Sequence, residues 1–215
     1  MYQKYVKRLL DIVFSLFLLP LVALNILVCA ILIKIDDGGP VFYCSKRLGK
    51  KRSVFVMYKL RTMKVNAPDI RNPDGSTLSS VDDPRLTRFG KTLRMLSVDE
   101  LPQVINVLKG DMSFIGPRPD LPDHYNYYQG QEAKKLDVLP GISGYNQAYF
   151  RNATQWRQRL KNDAYYVEHI SFLLDLQIML KTIAIVLFRK GVFSGQDITD
   201  RHERIGQDGR SQARE

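Results

Sequence analysis

In the stretch SVDELPQ, Ser97 to Gln103, two adjacent carboxylates stand just ahead of a proline. Ser97-Val-Asp-Glu100 fits the capping box S/T-x-x-E, an ordinary helix start. That reading places Pro102 at the fifth helical residue, where its missing N–H is needed inside the helix. A helix opened by Pro102 suits proline better. Leu101, Val104, Ile105 and Leu108 then form its buried stripe at i, i+3, i+4 and i+7. Asp99 and Glu100 fall on the turn before that helix, where backbone N–H groups and the helix dipole favour a phosphate. Capping and phosphate chemistry both remain open on this heptapeptide.

The cations that a phosphate needs lie on either side. In GDMSFIGPRPD, prolines flank Arg118 and hold its backbone extended. A stiff Pro-rich turn is the plain reading. A guanidinium fixed in this way also suits bidentate phosphate binding with little ordering left to do. Upstream, Asp83-Pro84 reads as an N-cap and a first helical residue. The helix carries Leu86, Phe89, Leu93 and Leu96 on one side, while Arg85, Arg88, Lys91 and Arg94 drift round the other. It reads either as a soluble amphipathic helix or as a cationic helix at the lipid headgroup layer, bringing Arg94 near the Asp-Glu pair. The two cysteines, Cys29 and Cys44, imply no disulfide framework. His124, His169 and His202 are too scattered for a zinc site.

The elements that position these groups begin with an apolar run, Leu9 to Ile35, long enough for the ~20 residues of a bilayer span. Nothing resembling a small-residue cleavage site closes it. Pro20 lies near its middle and invites a kink. Lys4, Lys7 and Arg8 precede it, and Lys34, Lys46, Arg47, Lys50, Lys51 and Arg52 follow. The positive-inside rule assigns both flanks to the cytoplasm, which a re-entrant helix–break–helix satisfies. Asp11 and Asn25 need partners within the run, and Lys7 or Arg8, one turn from Asp11, can serve it. After Gly38-Gly39-Pro40, residues 41–63 read as two short strands around a basic turn suited to anionic headgroups. Asn66 to Asp83 is a polar loop. LPGISGYNQ is a glycine-punctuated loop. In the apolar segment near the C-terminus, Glu168, Asp175, Thr182 and Arg189 recur every seven residues and form one polar stripe, as on a helix packed on the core or lying in the interface. A polar tail follows from Gly195, read as disordered. With 215 residues and a formal charge of +10, the chain holds one domain with extras and has an anionic partner.

These stretches, above all SVDELPQVINVLKGDMSFIGPRPDLP with KRLLDIVFSLFLLPL, YKLRTM and DPRLTRFGKTLR, resemble the bacterial sugar transferases, the monotopic phosphoglycosyl transferases of polyprenol phosphate. The likeness runs from about residue 5 to residue 190, without a large multi-span region before it, as in a minimal catalytic form. It implies transfer of a sugar 1-phosphate from a UDP-sugar to undecaprenyl phosphate, with release of UMP. It further implies that Asp99 is the nucleophile, forming a covalent phosphosugar, and that Glu100, with Asp99, holds Mg²⁺. Arg118 and Arg94, then Lys59 and Arg61, become candidates for binding substrate phosphate. Lys7, Arg8, Asp11 and Pro20 belong to the membrane anchor.

The expected architecture is α/β and mostly helical. A re-entrant anchor (1–38) precedes a catalytic domain (39–194) with amphipathic interface helices, followed by the tail (195–215). The implied location is the bacterial inner membrane, with the catalytic domain on the cytoplasmic face among membrane lipids. A basic membrane-anchored binding module would explain the charge but leaves DELPQ and PRP without a task. Base-stacking aromatics are not interleaved with the basic residues, so nucleic acid is not the expected partner. A membrane-bound diphosphate hydrolase is the remaining alternative. The sugar, the pathway and the oligomeric state are not encoded in any motif; an N-acetylated hexosamine derivative suits the minimal form.

Overall fold

The computed structural model describes residues 1–72, 83–150 and 154–188. The tail over 195–215 and Arg189 lie outside them. A π-helical turn, Tyr2–Val6, leads into α1 (Lys7–Asp37), which closes on Gly38 at φ 71°, a left-handed cap that glycine adopts without steric cost. α1 keeps helical assignment across Pro20, so the expected break into two helices is not found. Pro20 lacks only its own N–H bond to the carbonyl four residues back, which permits a bend within a continuous helix.

The next two elements pair as expected. β1 (Phe42–Leu48) and β2 (Val54–Leu60) form an antiparallel hairpin with Tyr43 opposite Lys59, Ser45 opposite Met57 and Arg47 opposite Phe55. Directly opposite residues point to the same face, so Arg47 and Lys59 share one side. At the basic turn Lys51 and Arg52 take φ 54° and 63°, the left-handed geometry that tight hairpins need.

α2 (Arg88–Met95) starts later than Asp83-Pro84 suggested. Its N-cap is Thr87, whose Oγ1 accepts from Gly90 N at 2.9 Å. Asp83 is instead buried in a salt bridge with Arg85. α3 (Gln103–Lys109) buries Val104, Val107, Gln103 and Asn106, so its inner face is rotated from the stripe read off the leucines. The reason is Asn106: its Oδ1 accepts from Tyr58 N at 3.0 Å and its Nδ2 donates to Val56 O at 2.7 Å. That side chain continues the ladder of β2 and fixes the hairpin to α3.

β3 (Ser113–Ile115) and β4 (Gly141–Ser143) pair in parallel. A Cβ at Gly141 would lie 2.1 Å from Gly116 N, so only glycine allows the strands and the following loop to meet. α4 (Tyr145–Tyr149), α5 (Trp156–Glu168) and α6 (Phe172–Phe188) pack behind β3, with Ile115, Ala148, Tyr166 and Ile178 as the buried centre. The polar stripe of α6 points inward. Asp175 accepts from Tyr2 Oη at 2.6 Å and Tyr166 Oη at 2.7 Å, and Thr182 Oγ1 lies 2.6 Å from Ser143 Oγ. Its outer face is apolar, with Phe172, Leu173, Leu180, Ile183 and Val186 exposed. Glu168 ends α5 and pairs with Lys134.

Candidate active site

The chain reverses at Ser97, left-handed at φ 55°, and enters a single 3₁₀ turn, Val98–Glu100. Ser97 makes no side-chain capping bond, which removes the capping-box reading. Pro102 is fully buried at the N-cap of α3. Asp99 and Glu100 therefore sit on the turn ahead of that helix.

The two carboxylates have different surroundings. Asp99 is 8% exposed, and its side chain receives no hydrogen bond from the described residues. Burial raises its pKa to about 6; Lys59 pulls it down, Glu100 pushes it up, and Arg94 and Arg118 also pull it down. Glu100 Oε1 accepts from Lys59 Nζ at 2.6 Å and from Arg118 Nη2 at 3.1 Å. Burial opposes ionisation here too, but Lys59 and Arg118 outweigh it and hold the carboxyl near 2. Glu100 is thus a fixed anion that gathers two cations, while Asp99 keeps unshared lone pairs. Such separation of two neighbouring carboxyls assigns them different work.

Arg94, from the end of α2, donates Nε–H to Thr62 Oγ1 at 3.1 Å, and its charge acts on Asp99. Gly90 lets α2 come this close, since a Cβ there would lie 2.0 Å from Thr62 O. Arg118 is held as the PRP motif suggested: Pro117 and Pro119 are buried, and its own side chain is 48% exposed. Asp120, two residues on, braces the segment. Asp120 Oδ2 accepts from Tyr128 Oη and Lys135 Nζ, both at 2.7 Å, and Lys135 also pairs with Asp163. This bracing was missed in the sequence, because its members are far apart and share no motif.

Three of the four predicted substrate-binding cations converge on the dyad. Arg61 does not. It is 5% exposed, forms a two-pronged pair with Asp37 and donates to Pro40 O at 2.6 Å and Met63 O at 2.9 Å. It fastens the end of α1 to the hairpin. A further cation, Arg47, joins Lys59, Glu100, Gln103 and Arg118 around a cleft of about 30 Å³, roughly the room of one water or ion.

Among the anchor residues, Lys7 pairs with Asp175, and Arg8 donates to Val107 O at 2.6 Å and Leu108 O at 2.9 Å. Asp11 accepts from Ser113 Oγ and Phe114 N, both at 3.1 Å. Lys7 and Asp11 therefore have separate partners instead of each other. Pro20 lies farther along, where Phe17, Leu21 and Leu24 are exposed.

The described residues hold no group of three or more His, Cys, Asp or Glu that would form a closed metal cage. Mg²⁺ needs only one or two carboxylates when phosphates and water complete its shell. Asp99 and Glu100 Oε2 can supply them. The surrounding cations disfavour a bare Mg²⁺, so the donor set fits a metal already carried by a diphosphate.

Residues 2–189 match the family described as bacterial sugar transferase. A Bacillus subtilis (strain 168) sugar transferase, EpsL, itself uncharacterized, is 40% identical over 90% of this chain and 93% of its own length. The UDP-N-acetylgalactosamine-undecaprenyl-phosphate N-acetylgalactosaminephosphotransferase of Aeromonas hydrophila is 38% identical over 85% of this chain but 44% of its own. The UDP-glucose:undecaprenyl-phosphate glucose-1-phosphate transferase of Caulobacter vibrioides is 38% identical, over 84% of this chain and 69% of its own.

Proposed function

The chain belongs to the bacterial sugar transferases, and from that premise we propose that it transfers a sugar 1-phosphate from a UDP-sugar to undecaprenyl phosphate. Relatives named for this reaction with N-acetylgalactosamine, galactose and glucose support the substrate classes. The observation that carries the chemistry is Asp99, a buried carboxylate without hydrogen bonds from the described residues, beside Lys59, Arg94 and Arg118.

A carboxylate is a weak nucleophile but is already ionised at neutral pH, so attack on phosphorus needs no base. Asp99 Oδ bonds to the phosphorus bearing the sugar, and the bond from that phosphorus to the bridging oxygen breaks. UMP leaves with the electron pair. An oxygen of the lipid phosphate then attacks the same phosphorus and releases Asp99. Lys59, Arg94 and Arg118 neutralise the oxygens that gain charge. Glu100 orients Lys59 and Arg118. A magnesium ion bound by the diphosphate and the dyad would supply Lewis-acid polarisation.

The anchor supports a site at the headgroup plane. Both flanks of the apolar run in α1 are tied to the same catalytic body. Asp11 binds β3, while Cys29 and Ile33 pack on Leu60 and Leu93, and Asp36 accepts from Phe89 N at 2.9 Å. A crossing helix would carry these flanks to opposite sides. The exposed apolar faces of α1 and α6 provide the surface to enter one leaflet. This supports a re-entrant α1 with Tyr2 and the catalytic domain in the cytoplasm.

The test is incubation with labelled UDP-sugar and Mg²⁺ but no lipid acceptor. Label should stay on Asp99, UMP should appear in equal amount, and Asp99→Asn should lower turnover at least roughly a thousandfold. Excess EDTA should stop turnover, and added Mg²⁺ should restore it. Near-normal turnover in the Asp99→Asn protein would overturn the assignment.

A further inference from the structure

Arg47 lies on β1, on the hairpin face shared with Lys59. Its side chain is partly buried, and its Nε donates to Ser45 Oγ at 3.2 Å. Among the described residues its terminal nitrogens have no hydrogen bond and no ion pair. Away from the dyad, buried cations have such partners: Arg61 has Asp37, Arg85 has Asp83, and Lys135 has Asp120 and Asp163. Arg94, at the dyad, is the other half-buried guanidinium whose described bonds stop at its Nε. A half-buried guanidinium beside a second guanidinium is unfavourable without an anion between them. Burial lowers the pKa of Arg47, and the charge of Arg118 lowers it further. Arg47, Lys59, Arg94 and Arg118 bring four positive charges to Asp99 and Glu100; Asp120 and Asp83, which also act on these arginines, are already paired with Lys135 and Arg85, so a positive surplus is left near the cleft.

Position decides which anion fills the gap. Lys59, Arg94 and Arg118 all act electrostatically on Asp99. Arg47 lines the cleft with Lys59, Glu100 and Arg118, whereas Asp99 and Arg94 do not line it, and the hairpin register sets Arg47 opposite Phe55, four residues from Lys59 on β2; it therefore lies farther from Asp99 than the inner cations do. In a diphosphate attacked by Asp99, the sugar-bearing phosphate meets the inner cations. The next phosphate along is the one that departs.

We propose that Arg47 binds the nucleotide phosphate of the donor and stabilises the negative charge that develops on the bridging oxygen as UMP leaves. This rests on the phosphoglycosyl transfer proposed above. The fork of Arg47 would take two oxygens of that phosphate, as guanidinium groups do. The role concerns only the first half-reaction, since the nucleotide has left before the lipid phosphate attacks.

The experiment uses full-length protein in detergent or nanodiscs, with Arg47→Met and Arg47→Lys. UMP binding is measured by calorimetry, adduct formation by single-turnover labelling, and adduct discharge by adding undecaprenyl phosphate to pre-labelled protein. Arg47→Met should weaken UMP binding at least tenfold and slow adduct formation on the order of a hundredfold. Discharge should change less than threefold. If Arg47→Met fails to fold, Arg47→Lys decides: it keeps charge but loses the fork, so adduct formation should fall several-fold with discharge unchanged. Unchanged UMP binding and adduct formation, or a loss confined to discharge, would overturn the proposal. A wild-type protein that binds UMP but forms no adduct would count against the covalent reading instead.

Discussion

Burying Asp99 should make its ionised form a liability to folding, and Asp99→Asn should relieve it. The Asp99 pKa rises from its ordinary 3.8 to about 6 in the folded protein. Two units at 1.36 kcal/mol each correspond to about 3 kcal/mol. The sign follows from which state binds the proton. Well below pH 4 the carboxyl is neutral in both folded and unfolded chains, and no penalty exists. Between pH 4 and 6 the unfolded chain ionises while the folded chain resists, so stability falls as pH rises. Above pH 6 the loss levels off. Asparagine has nearly the same shape and does not titrate. The Asp99→Asn protein should therefore match wild type near pH 4 and exceed it by about 3 kcal/mol at pH 7, with roughly half that gain at pH 5. For a chain of this size that is a melting shift of roughly 6–12 °C. Thermal melts in one detergent across pH 5 to 7.5 measure it. An Asp99→Asn protein that melts at or below the wild-type temperature at pH 7 would refute the burial argument, whatever happens to catalysis.

Arg118→Lys should lower turnover at least tenfold, because an ammonium cannot contact Glu100 and a phosphate in one fork; steady-state UMP release checks this, and near-wild-type kinetics would remove Arg118 from the site. Arg61→Ala should cost about 1–3 kcal/mol by leaving the carbonyls of Pro40 and Met63 without their donor, while adduct formation per folded molecule stays within threefold. A normal melt with a raised donor KM would return Arg61 to substrate binding. Single cysteines at Tyr2 and Ser53, in a background without Cys29 and Cys44, should resist an impermeant thiol reagent in intact cells and react after permeabilisation. Labelling of Tyr2 in intact cells would mean that α1 crosses the bilayer.

What the sequence made legible was local. The dyad before Pro102, the proline-braced Arg118 and the β1–β2 hairpin each depend on neighbours within a few residues, and each lies where the pattern suggested. The misreadings involve partners distant in sequence. Lys59 and Arg61 have the same parity and would share a face if the strand continued. β2 stops at Leu60, however, and Arg61 turns to Asp37 and Pro40. Arg47 is hidden inside a run of basic residues that reads as one solvated patch. Only the pairing register separates it from Lys46 and places it on the Lys59 face. Asp83 Oδ1 does accept from Arg85 N at 3.0 Å, but the turn it opens runs into the Leu86 bridge to Met63, so the helix starts afresh with Thr87 as its cap. Of the seven-residue polar series, Asp175 and Thr182 lie on α6, whereas Glu168 ends α5 and Arg189 is outside the described residues. These two hold α6 to Tyr2, Tyr166 and Ser143 and leave its apolar face outside.

The anchor and the site also prove to be one mechanical unit. Asp11 holds Ser113 and Phe114 of β3, and that strand runs directly into Gly116-Pro117-Arg118. At the other end of α1, Asp37 holds Arg61, which follows β2 and its Lys59 by two residues. Arg118 and Lys59 are the two cations that meet on Glu100. Each end of the apolar helix is thus coupled to one of the two cations beside Asp99. The charged residues of α1 are then explained by the fold: they fasten the ends of the helix to the strand that leads into Arg118 and to the strand that carries Lys59.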